Sequence, residues 1–193
     1  MGKRSNFALK PRGFYPTPIE ALVPLVAHLP ACGVEYWEPC AGDGRLITNL
    51  RTLWPNGYCA RADDILPMRY DVQRGDAVTA IAPRRATMAI TNPPWPMGGR
   101  KGGPTIQIIR NLAEQLPTWL LLPWNFYANA YMADIGVPCA KIVPIGRVSW
   151  EGNGIAGKDD SSWSLWDARH TGPTVLHRRV APVTERGPPT ADR

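Results

Sequence analysis

Residues 91 to 96, Thr-Asn-Pro-Pro-Trp-Pro, carry an amide and an indole where the chain cannot continue a regular element. Each proline lacks an N–H and has a fixed φ, so adjacent prolines are excluded from helix interiors and central strands. The Asn92 side-chain oxygen and the Pro93 carbonyl are two acceptors that could bind the N–H groups of one amine. Such binding favours a pyramidal nitrogen with a directed lone pair, and Trp95 offers a face for a ring to stack on. These residue types indicate a site for a planar amine, or else only a rigid strand-exit turn with a core tryptophan.

A glycine loop upstream is the second candidate site. It lies in Glu-Pro-Cys-Ala-Gly-Asp-Gly-Arg-Leu, residues 38 to 46. Gly42 and Gly44 allow a tight turn and a close approach of the backbone to a ligand. Carboxylates at Glu38 and Asp43 would repel a pyrophosphate but attract a cationic ligand. Asp43 could instead cap the following helix.

Two further acids follow strand-like segments. Asp64 lies 22 residues beyond Gly42, close to the offset of about 20 residues at which an acid binds ribose hydroxyls in nucleotide-binding α/β folds. Asp76 follows in Arg-Gly-Asp-Ala. Acids around one glycine loop predict a ligand with a ribose, an adenine and a positive centre, which S-adenosylmethionine combines. Taken singly, each acid could also be a solvated loop residue or a cap.

The elements that must position these residues alternate along the chain. Strands are predicted at 33–39, 57–64, 86–91 and 118–123, with two later candidates at 140–150 and 161–169. Helices are predicted at 43–54 and 104–116 from their apolar spacing. We therefore expect an α/β, Rossmann-like, doubly wound and mostly parallel sheet of about seven strands, with a late antiparallel strand and helices on both faces. Ligands bind such sheets at the carboxyl ends of the strands.

Composition and charge indicate how the chain is divided into domains and which partners it could bind. We expect a basic flexible segment at 1–12, one domain at 13–183 without a separate target-recognition domain, and a flexible tail at 184–193. No apolar run approaches the roughly 18 residues that span a bilayer, and no signal-peptide core is present, so we expect a cytoplasmic protein without a membrane partner. The net charge of +6 favours a polyanion, most often nucleic acid. Arg100 and Lys101, set among glycines, are candidate phosphate contacts or a solvated linker.

The cysteines and tryptophans suggest packing more than chemistry. No CxxC motif or histidine pair accompanies Cys32, Cys40, Cys59 and Cys139, so we expect buried reduced thiols and no metal site. Tryptophans inside predicted strands are expected in the core; they are Trp37, Trp119, Trp163 and Trp166. The pattern leaves the roles of Trp124 and Trp150 open.

The order of the motifs resembles a known family. GFYPTP (13–18), EPCAGDGRL, ADDI, RGDA, TNPPW and SSWSLWDARHTGPT follow one another as in class I S-adenosylmethionine-dependent methyltransferases. More narrowly, the chain resembles the adenine-N6 DNA methyltransferases, including the small phage and prophage enzymes. The resemblance runs from about residue 13 to 180. NPPW is a form of the Asn/Asp-Pro-Pro-aromatic motif of amino-group methyltransferases.

The resemblance implies roles for individual residues. The segment 15–17 would cover the methionine end of the cofactor, and 38–44 would form the cofactor loop. Asp63 or Asp64, with Asp64 preferred, would bind the ribose, and Asp76 with Ala77 would contact the adenine. The implied cofactor-binding residues are Tyr15, Pro16, Thr17, Glu38, Pro39, Cys40, Ala41, Gly42, Asp43, Gly44, Asp63, Asp64, Ile65, Asp76, Ala77 and Asn92. The implied catalytic residues are Asn92, Pro93, Pro94 and Trp95.

The expected activity is methyl transfer from S-adenosylmethionine to the N6 amino group of adenine in DNA. The target base would leave the stack to reach the pocket. The alternatives are adenine-N6 methylation of RNA, methylation of a glutamine amide in protein, and a non-catalytic nucleic-acid-binding relict of the fold. Both a monomer and a homodimer are compatible with the sequence.

Overall fold

One eight-stranded sheet organises the part of the chain that the computed structural model describes, residues 15–96 and 103–179. The expected flexible segments 1–12 and 184–193, and the candidate phosphate contacts Arg100 and Lys101, lie outside these residues. The strands are β1 Val34–Glu38, β2 Gly57–Asp64, β3 Gln73–Arg74, β4 Met88–Thr91, β5 Thr118–Pro123, β6 Cys139–Gly146, β7 Ser161–Trp166 and β8 Val175–Leu176. The helices are α1 Ile19–Val26, α2 Arg45–Leu53 and α3 Gly103–Gln115, with 3-10 helices at Trp124–Ala128 and Ala130–Asp134.

The strand order is β3-β2-β1-β4-β5-β7-β6-β8. β7 runs antiparallel between β5 and β6, and the other pairings are parallel. This confirms the predicted Rossmann-like sheet with a late antiparallel strand. Because the order reverses between β1 and β4, a crevice opens at their carboxyl ends, where such sheets bind ligands.

Side chains of the central strands alternate between the two faces of the sheet, so the apolar core has one part on each face. Tyr36, Ile90 and Trp119 pack in one apolar cluster with α1 and α2. Trp37, Ala89 and Leu120 pack in a second cluster with α3. Successive strand residues point to opposite sides of a sheet, so helices cover both faces as predicted. All six residues of β5 are buried, which explains its continuous apolar run.

Several elements differ from the sequence-based expectation. α2 begins at Arg45, two residues later than predicted, because Gly42 and Gly44 have φ values of 53° and 73° that no α-helix contains. α1 was not predicted, since Pro24 lies inside it and obscures the helical pattern. β3 and β8 have two residues each, too few to show alternation.

The predicted core tryptophans are buried, each with at most 2% of its surface exposed. All four cysteines are free thiols. Cys139 is buried, while Cys40 and Cys59 are only partly so. The expectation of burial is wrong for Cys32, which lies in the exposed turn between α1 and β1. None of the described helices has the length and apolar character needed to cross a membrane.

Candidate active site

The loop after β1 is built on its two glycines. The Gly42 N–H donates to Asp64 Oδ2 at 2.8 Å, and the Gly44 N–H donates to the Ala41 carbonyl at 2.7 Å. The other Asp64 oxygen accepts the Leu66 N–H at 2.8 Å. Asp64 therefore joins the carboxyl end of β2 to the loop after β1.

The two adjacent acids of β2 have different environments. Asp63 is 5% exposed, and its carboxylate accepts hydrogen bonds from the Trp37 indole N–H and from Arg61 Nε. Asp64 is only partly buried, and each of its oxygens keeps a lone pair beyond the backbone N–H that it binds. We therefore assign Asp63 a structural role and keep Asp64 as the candidate ribose ligand.

Two other acids of the predicted cofactor set stabilise turns. Asp43 Oδ1 accepts the Arg45 N–H at 3.0 Å, so Asp43 caps the start of α2. Asp76 Oδ1 accepts the Val78 N–H at 2.9 Å, and the Asp76 carbonyl accepts N–H groups from the following turn. Ala77, beside Asp76, is buried. A capping role leaves part of each carboxylate exposed and does not prevent contact with a ligand.

Glu38 is the most unusual acid of the site. It ends β1, is 1% exposed, and its Oε1 accepts a hydrogen bond from Thr91 Oγ1 at 3.2 Å. Its Oε2 finds no donor among the described residues. Burial raises the pKa of Glu38 well above its ordinary value against the lowering effect of the Thr91 hydroxyl, and the nearby negative charge of Asp64 adds to the rise. A buried carboxylate oxygen without a partner is costly, which points to a missing cationic or donor group at this position.

The Asn92 amide is held in one orientation at the end of β4. Its Nδ2 donates to the Tyr15 carbonyl at 3.0 Å, while its Oδ1 accepts from the Trp95 indole N–H at 3.2 Å. Trp95 Nε1 also donates to the Leu121 carbonyl at 2.9 Å. Because a carbonyl can only accept, the Asn92 NH₂ faces Tyr15 and the oxygen faces the other way. One lone pair of that oxygen is left for a further donor.

The prolines of the turn are fixed from α3. Thr105 Oγ1 donates to the Pro94 carbonyl at 2.6 Å. The Pro93 carbonyl accepts no hydrogen bond from any residue in the described ranges. The turn therefore presents two acceptors with spare capacity, Asn92 Oδ1 and Pro93 O.

The first three predicted cofactor-binding residues, Tyr15, Pro16 and Thr17, lie near the Asn-Pro-Pro-Trp turn. Besides the contact of Tyr15 with Asn92, the Thr17 carbonyl accepts Asn49 Nδ2 of α2 at 3.0 Å, and Pro16 and Thr17 are buried. Residues 77 positions apart thus meet at the carboxyl end of β4. Ile65, directly after β2, is 58% exposed, and Asp76, shortly after β3, is also exposed. Both residues are therefore accessible to a ligand.

Arg69 contributes to the site without having been predicted. Its Nη1 donates to the Gly44 carbonyl at 3.2 Å and to Thr48 Oγ1 at 3.3 Å, and it forms an ion pair with Asp71. A Cβ on Gly44 would lie 2.3 Å from the Arg69 guanidinium. Gly44 therefore suits the left-handed backbone at this position, and a larger residue there would displace the Arg69 guanidinium. No motif in the sequence marks this pairing across 25 residues.

Comparison with known proteins supports the architecture. No protein-family model and no curated protein sequence matches the chain. It is similar to a Listeria monocytogenes protein described as a class I S-adenosylmethionine-dependent methyltransferase, at 12% identity over 82% of this chain and 62% of that one, with a TM-score of 0.52. It is also similar to the mitomycin 7-O-methyltransferase MmcR, at 10% identity over 77% of this chain and 53% of that one, with a TM-score of 0.51. The chain thus spans less than two thirds of either protein and shares their fold.

Proposed function

We propose that this protein transfers a methyl group from S-adenosylmethionine to the N6 amino group of adenine in DNA. The observation that carries the proposal is the pair of acceptors at the end of β4, Asn92 Oδ1 and Pro93 O. They stand beside a glycine loop whose buried Glu38 has an unpaired oxygen.

The residues at the carboxyl edge fit this cofactor. S-adenosylmethionine carries an α-ammonium group and a sulfonium, and a cation beside Glu38 would supply the partner that Oε2 lacks. Asp64 has the exposure and lone pairs to accept ribose hydroxyls, and the exposed Ile65 can cover an adenine face. Segment 15–17 would close the methionine end, since it lies against Asn92. When bound, the cofactor supplies an electrophilic methyl group.

The turn would activate the amine by orientation and electrostatics. An exocyclic adenine amine is a poor nucleophile because its lone pair is delocalised into the ring. Hydrogen bonds from its two N–H groups to Asn92 Oδ1 and Pro93 O would favour a pyramidal nitrogen and stabilise the developing positive charge. The proton becomes acidic only as that charge develops, so the site needs no strong base.

A nucleic acid is the proposed carrier of the amine for two reasons, and DNA in particular is proposed from the resemblance of the motif order to the adenine-N6 DNA methyltransferases. Trp95 is only partly buried and offers a face to a flipped base. The net charge of +6 favours a polyanion over a protein substrate. Neither reason separates DNA from RNA, so both nucleic acids enter the test.

The test is incubation of the protein with methyl-labelled S-adenosylmethionine and DNA, RNA or a glutamine-containing protein mixture, followed by mass spectrometry of the nucleosides or, for the protein mixture, of the peptides. We expect N6-methyl-2′-deoxyadenosine from DNA, reduced on the order of 10²- to 10³-fold in Asn92→Ala while cofactor binding persists. Asn56→Ala is the matched control, because its Nδ2 also donates to a main-chain carbonyl, that of Ala31, outside the site. Label only in RNA or protein would reject the DNA assignment, and absence of cofactor binding would support a relict of the fold.

A further inference from the structure

We propose that Trp150, in the loop between β6 and β7, is a positioning residue that sets the orientation of the Asn92 amide through Trp95 and Tyr15. The effect on the rate of methyl transfer rests on the proposed function. The effect of Trp150 on the orientation of the Asn92 amide can be tested without any activity. Trp150 reaches the site from a different part of the sheet than the Asn-Pro-Pro-Trp turn, since its loop follows β6.

Trp150 makes aromatic contacts with both residues that hold Asn92. Its ring lies edge-on to that of Trp95, with centroids 5.3 Å apart and an interplanar angle of 88°. Its second contact is with the Tyr15 ring, at 6.1 Å and 61°. Edge-on pairs at these distances are favourable arrangements of aromatic rings. Trp150 therefore contacts both the Tyr15 segment and the Asn-Pro-Pro-Trp turn, two segments that also meet through hydrogen bonds at Asn92.

The two contacts act on opposite ends of one amide. Trp95 donates its indole N–H to Asn92 Oδ1, and the Tyr15 carbonyl accepts from Asn92 Nδ2. A shift of the Trp95 ring changes the donor at the oxygen, and a shift of Tyr15 changes the acceptor at the nitrogen. Trp150 restrains both, so its loss should loosen the oxygen that we propose to bind the target amine.

The loop itself is shaped to hold the Trp150 ring. The Gly157 N–H donates to the Val148 carbonyl at 2.8 Å and closes residues 148–157 on themselves. A Cβ on Gly157 would lie 2.7 Å from Trp150 Cδ1 and 3.0 Å from Nε1. Gly157 is not among the described glycines with positive φ, so alanine would strain no backbone there and would act by displacing the ring. The backbone of Gly157 thus packs directly on Trp150.

Three variants test the role by kinetics. Trp150→Ala and Gly157→Ala should each lower kcat for methyl transfer roughly 10- to 100-fold, because small misplacements of reacting groups have effects of this size. Trp150→Phe, which keeps an aromatic edge, should recover most of the rate. Gly33→Ala is the matched control, since its Cβ would meet only the Asn56 carbonyl at an ordinary 3.6 Å. Thermal unfolding and cofactor affinity, measured on every variant, show whether the variant is folded and binds the cofactor. An unchanged kcat in folded Trp150→Ala and Gly157→Ala would overturn the proposal.

A second readout separates this inference from the proposed activity. In ¹⁵N spectra the Asn92 side-chain NH₂ signal is identified by its loss in Asn92→Ala. We expect one sharp signal in the wild type and in Gly33→Ala, and a broadened or shifted one in Trp150→Ala and Gly157→Ala. If the wild type methylates nothing, the proposed function fails while this measurement still decides the role of Trp150. An Asn92 signal that is the same in all four proteins would refute that role.

Discussion

The carbonyl oxygen of Tyr15 accepts a hydrogen bond from Asn92 Nδ2 at 3.0 Å, and this contact fixes which end of the amide faces the site. Aspartate at position 92 would keep an acceptor for the target amine but could donate nothing to Tyr15. Two oxygens would then face each other, and the carboxylate would rotate away. Replacing Asn92 with aspartate therefore separates the orientation of the side chain from its capacity to accept a hydrogen bond from the target amine.

Asn92→Asp is expected to retain cofactor binding and to transfer methyl groups about tenfold more slowly than the wild type, which corresponds to about 1.4 kcal/mol of lost transition-state stabilisation. The rate should still exceed that of Asn92→Ala, because an acceptor is present. Single-turnover kinetics with saturating cofactor and DNA give the three rates. Equal inactivity of the aspartate and alanine variants would show that donation to Tyr15, and not acceptance from the amine, is the essential property.

Under the proposed function, Glu38 is expected to make the affinity for S-adenosylmethionine depend on pH. Burial raises the pKa of Glu38 in the free protein and so favours its protonated form. A bound cation favours the carboxylate and lowers that pKa, so binding releases a proton. Affinity for S-adenosylmethionine should therefore rise with pH until it passes the raised pKa of the free protein. Calorimetry in buffers of different ionisation enthalpy measures the released proton directly.

Glu38→Gln removes this titration. The variant should bind more weakly at high pH, with an affinity that no longer follows pH and with no proton released. Asp63→Asn serves as a control of the same charge change at a buried acid that contacts Trp37 and Arg61. If Glu38→Gln kept the wild-type pH dependence, another group would be responsible for it.

How far the sequence predicts this site depends on the kind of contact. Asn92 follows β4, Asp64 ends β2 and Gly42 lies in the loop after β1. Because the apolar patterns of these strands are clear, the meeting of the three residues at one edge follows from the parallel sheet. The partner of Asn92 was not predictable in the same way, because it is a main-chain carbonyl and any residue type supplies one.

Contacts made by long side chains across loops were also invisible in the sequence. Arg69 and Gly44 are 25 residues apart, and their pairing depends on the path of the segment between β2 and β3. Trp150 belongs to a loop whose place over the turn is set by the antiparallel position of β7. The sequence favours Asp64 over Asp63 as the ribose ligand without excluding Asp63, since it is burial in the fold that distinguishes the two side chains.

Gly44→Ala tests the loop geometry. A left-handed φ of 73° costs an L-residue about 1–2 kcal/mol, and the new Cβ would displace the Arg69 guanidinium. Affinity for S-adenosylmethionine should fall on the order of tenfold, or about 1.4 kcal/mol. Gly136→Ala is the matched control, because Gly136 has the same φ of 73° with nothing within 4 Å of the added Cβ. Denaturant unfolding should show similar losses in both variants, and equal cofactor affinities would argue against the Arg69 contact.

His28 is expected to give the stability of the fold a dependence on pH away from the site. The rings of His28 and His177 lie 4.3 Å apart, between the end of α1 and the residue after β8. Burial lowers the pKa of His28 below its ordinary value, and the neighbouring His177 and Lys141 add to this effect. The unfolded chain therefore binds a proton more readily than the folded one. Stability is highest above the unfolded pKa of about 6.5 and falls as pH drops toward the lower pKa of the folded state.

His28→Asn should flatten this slope, since asparagine does not titrate. The free energy of unfolding, measured by denaturant titration from pH 7.5 down to 5, should fall less in the variant than in the wild type. His170→Asn is the control, because His170 lies in a loop and contacts the Pro173 carbonyl without a charged partner in the described contacts. A wild-type slope preserved in His28→Asn would assign the effect to other groups. A slope lost equally in both variants would show that it comes from histidine charge in general and not from the His28–His177 pair.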